Sequence, residues 1–201
     1  MWGNRALSCS GYREPGIVWW PGKIQPGSRS NSLVTTYDMF PTALALAGVA
    51  LPADRIIDGV DMGPVIFSSH PETASGGHHC IFFYKRPESQ EGPQGAAKLS
   101  SLAAIRCGDY KTYYLIDGGS STPLPPGVQT GVLSLEEPIV FDLSKDWSED
   151  KPLDKESPEY INAKSVSAAA RAKHLKTMGW NINQMGKLSP AIHSSWMLPN
   201  R

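Results

Sequence analysis

Neither sign of charge is in surplus: 19 Lys and Arg stand against 19 Asp and Glu, a formal net charge of +0. No global field therefore draws the chain to nucleic acid or to an anionic membrane. Long apolar runs are also missing, and none approaches the roughly 20 residues a membrane-spanning helix needs. Cysteine is scarce. Cys9, Cys80 and Cys107 are odd in number, widely spaced and without metal-like pairing. At most one intramolecular disulfide can form, and buried or free thiols are the favoured reading. The first ten residues, MWGNRALSCS, show no Arg/Lys-flanked apolar core and no small-residue cleavage site, so no secretion signal is read there. No internal repeat is present. What is abundant is turn chemistry, with 17 Pro and 19 Gly among 201 residues beside an apolar fraction of 40%. That balance fits a loop-rich globular chain rather than a disordered one.

The most organised stretch is residues 11–48, which reads as one βα unit. Gly16 to Trp20 is a bulky, β-branched run suited to a buried strand, stopped by Pro21-Gly22. After a polar connection, Thr36 or Asp38 can cap a helix whose Pro41 sits in the first turn, where a missing N–H costs nothing. Phe40, Leu44 and Ala47 recur on one face, and Gly48 ends the helix. Asp61 to Phe67 is read as a further short helix over Val65 and Ile66.

Beyond residue 77 the pattern changes to strands. His78 to Tyr84 alternates Cys80, Phe82 and Tyr84 against Ile81 and Phe83, and with both faces apolar it is expected to be central in its sheet. Leu102 to Cys107 and Tyr110 to Leu115 flank Gly108-Asp109, a two-residue hairpin turn. Strict alternation puts Leu102, Ala104 and Arg106 on one face and Ala103, Ile105 and Cys107 on the other. Ile139 to Leu143 is a further strand. Residues 85–98, the GGSSTPLPPG stretch and residues 180–201 read as loop or tail. Residues 158–178 form a helix opened by Ser157-Pro158, with Ile161, Ala168, Ala172 and Leu175 predicted to face the sheet.

Several blocks carry a family resemblance. R-E-P-G-I-V-W-W-P-G, Y-D-M-F-P-T-A-L-A-L-A-G, D-G-V-D-M-G-P-V, A-A-I-R-C-G-D-Y-K and E-P-I-V-F-D-L-S-K-D, in that order, resemble the sulfatases, arylsulfatase A-like members most closely. The likeness runs from about Gly11 to Asp154, which in a complete member is the C-terminal part, so the chain reads as a fragment. It implies an α/β fold, α+β locally: the end of an alkaline-phosphatase-like α/β domain, then a small antiparallel sheet packed by a C-terminal helix. The expected division is a leader at 1–10 unrelated to the family, a remnant of the main domain at 11–77, the antiparallel subdomain at 78–179 and a tail at 180–201. A related phosphatase or phosphoethanolamine transferase of the same superfamily fits the W-P-G and F-D-L-S-K-D blocks less well.

Sulfate ester hydrolysis needs a nucleophile, cations for the sulfate oxygens and an acid for the leaving alcohol. The resemblance implies a formylglycine made from the Cys of C-x-P/A-x-R and a calcium ion held by carboxylates and an amide, both in the part of the family that precedes this region. The family's active-site Lys lies nine residues before the Arg of the R-E-P block; counting back from Arg13 lands on Asn4. Cys9 and Arg13 stand at the nucleophile spacing, but Gly11 occupies the middle position and no carboxylate pair stands upstream. Coincidence is the favoured reading. No catalytic residue and no metal ligand is therefore assigned in the chain, and calcium is expected only in the full-length family.

His78-His79 would point to opposite strand faces and could not chelate one ion; a seam position is favoured. Some sulfatases line the mouth of the pocket with this subdomain, which makes His79 and Arg106 the candidate substrate-binding residues. Asp58 and Asp61 are too few for a calcium cage and read as helix caps. Glu136, Glu137, Asp146, Glu149 and Asp150 read as solvated loop charges, and Trp19, Trp20, Phe82, Phe83, Tyr113 and Tyr114 as core. The expected partner is a sulfate ester in the parent enzyme, with no nucleic acid and no membrane. Self-association through the exposed sheet remnant is the alternative, non-catalytic role. Full-length members are secretory, lysosomal or periplasmic.

Overall fold

The computed structural model describes residues 12–72, 74, 76–85, 101–117 and 132–177. Its best-defined body is an antiparallel sheet of β1 (Cys80–Lys85), β2 (Ser101–Cys107), β3 (Tyr110–Asp117) and β4 (Val132–Asp142), in the order β1-β2-β3-β4. The hairpin forms where the residues predict it. Cys107 pairs with Tyr110 across Gly108-Asp109, and Gly108 takes φ 56°, a value that favours glycine. The Asp109 carbonyl accepts Leu143 N–H at 2.7 Å, which anchors the end of β4 to the same corner.

Three sequence expectations for the sheet are corrected. First, β1 is an edge strand among the described residues, not a central one. Its apolar side chains are covered by layers on the two faces of the sheet instead of by flanking strands. Second, Phe83 pairs with Ala104 but Tyr84 pairs with Leu102, so Ala103 is an extra residue in β2. This bulge shifts the alternation. Leu102 consequently packs with Ile105 and Cys107, while Ala103 and Ala104 both join the cluster around Tyr113, Phe141 and Leu143. Third, the favoured reading of free thiols fails, because Cys80 and Cys107 form a disulfide between directly paired residues of β1 and β2. β4 also runs longer than Ile139 to Leu143. A register shift opposite Tyr113/Leu115 accommodates Pro138 at the sheet edge, where a residue without an N–H breaks no inner ladder.

Helix α3 (Pro158–Thr177, the third α-helix among the described residues) covers the face formed by Phe82, Tyr84, Ile105, Val140 and Tyr114. The predicted inward stripe is wrong by about one residue. Tyr160, Ala163 and Ser167 are buried with Ala170 and His174 half-buried behind them, whereas Ile161 and Leu175 are exposed. Hydrogen bonds explain the choice. Tyr160 Oη donates to the Pro138 carbonyl at 2.9 Å, Tyr114 Oη donates to Ser167 Oγ at 2.9 Å, and Tyr84 Oη lies 2.6 Å from His174 Nε2. A sheet face studded with tyrosine hydroxyls selects a polar stripe, since a buried hydroxyl without a partner costs more than two exposed aliphatic side chains.

The segment before the sheet holds α1 (Met39–Leu46), led in by a 3-10 turn over Thr36–Asp38, and α2 (Gly63–Ile66). Asp38 is the N-cap position of α1, and bonds from Gly48 N–H to Ala45 O and Val49 N–H to Leu44 O close its C-terminus. Gly16 to Trp20 is not a strand here. No described strand lies beside it, and Ile17 and Trp19 are 89% and 83% exposed. The apolar face of α1 fares similarly: Met39, Phe40 and Leu46 are exposed, and its buried residues are Pro41 and Thr42.

The Cys80–Cys107 bridge closes a loop with a sequence separation of 27 residues. Chain-entropy reasoning assigns such a loop about 3.5 kcal/mol. Replacing both cysteines by Ala is expected to lower urea-unfolding stability by that order and to abolish the sensitivity of the midpoint to reductant. Identical midpoints with and without reductant in the parent chain would show that the bridge does not form.

Candidate functional site

The two regions meet at one buried carboxylate. Asp38 is fully buried and receives Thr35 N–H at 2.6 Å, Thr35 Oγ1 at 3.0 Å and Val60 N–H at 2.9 Å. His78 Nε2 lies 2.7 Å from Oδ1, the oxygen that also accepts Val60 N–H, and the proton must sit on that nitrogen, since a carboxylate only accepts. Burial alone would raise the Asp38 pKa, but the bonds from Val60, His78 and Thr35 outweigh it and hold the carboxyl below its ordinary value. Around this point Thr42 Oγ1 takes Met62 N–H at 2.8 Å, so α1, the 58–62 loop and the start of β1 converge. Gly77, at φ 76°, lies so close to the Leu33 carbonyl that a Cβ would collide with it. That approach lets His78 N–H donate to Leu33 O at 2.7 Å.

His78 and His79 are thus separated in role. His78 is turned into the junction and His79 is exposed beside it. The His79 carbonyl accepts Gly108 N–H at 3.2 Å, and Arg106 Nε donates to the Gly108 carbonyl at 3.0 Å. Both candidate residues therefore stand at the hairpin corner, flanking the disulfide. His79 is held there by a backbone bond, Arg106 by its own guanidinium and by strand pairing, and both strands by the cross-link.

One functional-looking group escaped sequence reasoning. Glu149, expected to be a solvated loop charge, is buried, with Lys111 Nζ 3.0 Å from Oε1 and Tyr113 Oη donating to Oε2. Lys111 is itself 1% exposed and lies over the Phe83 and Tyr113 rings. Removing one partner of such a pair costs about 3–5 kcal/mol, because the other charge stays buried. Its position, pinning the loop after β4 to the outer sheet face, is a scaffold role. On the opposite face His174 stacks on Phe82 with ring centroids 3.7 Å apart, and burial lowers its pKa against the opposing pull of Asp58.

Among the described residues, no three His, Cys, Asp or Glu side chains converge in a way that could hold a metal ion. Asp61 accepts Gly63 N–H at 2.8 Å and so serves the start of α2, as its spacing suggested. Among the described residues, no donor set fits a calcium site, which needs six to eight oxygens.

The family described as the C-terminal region of aryl-sulfatase matches residues 76–200, more than half of the chain, and the family described as sulfatase matches residues 2–49. The chain belongs to the sulfatase family. Arylsulfatase G of Rattus norvegicus is 34% identical over 150 residues, which is 75% of this chain and 26% of that protein. N-acetylgalactosamine-6-sulfatase of Canis lupus familiaris is 30% identical over 210 residues, 98% of this chain and 37% of that one. Arylsulfatase A of Bos taurus is 31% identical over 186 residues, 88% of this chain and 34% of that one. This sulfatase chain thus spans about a quarter to somewhat over a third of the length of these relatives. A crystal structure of a sulfatase from Pseudoalteromonas sp. superposes with a TM-score of 0.60 at 23% identity, covering 84% of this chain and 31% of that one. That likeness establishes the alkaline-phosphatase-like α/β fold class, with its antiparallel sheet and C-terminal helix.

Asp38 supplies a pH test of the junction. With its folded pKa depressed from 3.8, its stabilisation is fully present above about pH 4 and is lost as pH falls through the folded pKa. Asp38→Asn is expected to cost about 2–3 kcal/mol at neutral pH, the range for hydrogen bonds to a charged acceptor. The gap to the parent chain should close in acid. A gap that widens below pH 4 would contradict the assignment.

Proposed function

We propose that this chain is the C-terminal part of an arylsulfatase-like sulfuric ester hydrolase and that it shapes the substrate pocket without performing the chemistry. What supports this reading is the hairpin corner, where the His79 carbonyl accepts Gly108 N–H and Arg106 Nε donates to the Gly108 carbonyl beside the Cys80–Cys107 disulfide. An Arg offers charge-assisted hydrogen bonds that suit a sulfate oxygen or a sugar hydroxyl. The nucleophile, the calcium ligands and the active-site Lys belong to the preceding part of the family, so the chain alone is read as inactive. The substrate class is a sulfate ester, and the name of one relative, N-acetylgalactosamine-6-sulfatase, favours a sulfated sugar. The disulfide suits an oxidising compartment, as expected for secretory, lysosomal or periplasmic members.

The second reading, a non-catalytic binding or self-association module, rests on a specific observation. Ile17, Val18, Trp19, Met39 and Ile56 form a set of large apolar side chains more than half exposed. Apolar exposure of this kind marks a surface that is covered in use. One preparation tests both readings. The purified chain, given nitrophenyl sulfate and calcium, is expected to show no turnover above buffer and, in sedimentation, concentration-dependent association. Turnover would overturn the first statement, and a strictly monomeric chain would overturn the second.

For the pocket role, residues 12–201 would be joined to the preceding part of a related sulfatase. In that chimera His79→Gln with Arg106→Gln is expected to raise KM on the order of tenfold with kcat little changed, the pattern of lost ground-state binding. An unchanged KM would remove the corner from the pocket.

A further inference from the structure

The charge that cancels over the whole chain is sharply divided along it. From residue 160 to 201 there is no Asp or Glu, while Lys164, Arg171, Lys173, Lys176, Lys187 and Arg201 give +6. Residues 1–159 then hold thirteen basic against nineteen acidic residues, a balance of −6. Charge asymmetry of this kind points to a polyanion as a partner or to a basic tail.

Helix α3 carries four of these six cations, Lys164, Arg171, Lys173 and Lys176. Ile161, Ala168, Ala172 and Leu175 recur at helical spacing and are exposed, because the sheet takes the neighbouring polar stripe. At 100° per residue, Lys164 and Arg171 flank this outward stripe on one side and Lys173 and Lys176 on the other. Arg171 lies over the Tyr114 ring with its carbon 4.9 Å from the centroid, which fixes that guanidinium on the flank. Lys164 is paired with Glu137 and neutralised, so Arg171, Lys173 and Lys176 carry the unbalanced charge. Those three outweigh the roughly half negative charge of the helix C-terminus. Near Ile161 the stripe opens into a shallow depression lined by Glu137, Lys155, Tyr160 and Ser165.

We infer that the outward face of α3 docks a sulfated polysaccharide. The alanines let a rigid sugar chain lie close to the helix axis, with Arg171 on one side and Lys173 and Lys176 on the other to meet its sulfates. An anionic membrane fits less well, since Ile161 and Leu175 are the large exposed apolar side chains on the stripe and no Trp or Phe accompanies them to anchor an interfacial helix. Duplex DNA fits the charge but not the narrow apolar floor. The choice of a sulfated ligand rests on the sulfatase reading; the existence of a polyanion surface does not. Binding is also measured without turnover, so failure here leaves the hydrolase reading intact.

The test is the affinity of the full chain for heparin across a salt series. Submicromolar to micromolar binding with a steep log–log salt dependence is expected. Arg171→Gln with Lys173→Gln and Lys176→Gln should weaken binding at least tenfold and reduce the slope by about 2, on the scale of counterion release from a single polyanionic strand. These side chains are exposed, and the Lys173→Gln/Lys176→Gln pair, which spares the Tyr114 contact, should give about two thirds of the slope change. Circular dichroism confirms the helix in each. A control removing Lys23, Arg29 and Lys151 in the same way should leave the slope within 0.5 of the parent. No heparin binding, an unchanged slope in the triple variant, or an equal loss in the control would overturn the surface. Equal affinity for desulfated heparin, for a 20-base-pair duplex or for phosphatidylserine vesicles would overturn the assigned ligand.

Discussion

The buried Asp38 carboxylate is the constraint on which the arrangement depends. It sits where a helix start, a loop and the entry to a strand come within reach of one another, and it satisfies donors from all three. An ionised group without solvent is tolerable only when its lone pairs are filled, so the same bonds that stabilise the charge also fix the geometry. His78 is drawn inward by that demand. His79 is left outside as a consequence, beside a corner where β1, β2 and the hairpin turn are joined by backbone bonds and a cross-link.

A second buried charge performs the parallel task on the sheet. Lys111 and Glu149 tie the connection after β4 to the face that also receives Tyr12 through its contact with Phe83. The helix on the other face is held by tyrosine hydroxyls as much as by apolar contact. Both faces of a small sheet are thus specified by polar groups with few alternatives, which favours one register and one helix rotation over many of similar hydrophobic gain.

Local signals made much of this legible beforehand. The hairpin, the bounds of α3 and the α1 helix with its terminating Gly48 follow from turn residues and periodicity, which neighbours do not alter. Distant partners decide the rest. Gly16 to Trp20 has strand composition, but a strand exists only where another pairs with it. The bulge at Ala103 left no mark in an Ala-Ala step, and so Leu102 was placed on the wrong face. Glu149 lacks any periodic context that would announce its burial. The disulfide did leave a trace: setting His78 to Tyr84 antiparallel to Leu102 to Cys107 brings Cys80 opposite Cys107. The corner residues His79 and Arg106 were named from resemblance, and their adjacency comes from that same strand pairing.

The covalent link between β1 and β2 has one more outcome. Everything from residue 81 to 106 lies inside the ring that it closes. A protease that nicks the backbone anywhere in that span yields two polypeptides that still migrate as one molecule, with the edge strand retained on its neighbour, until a reductant parts them.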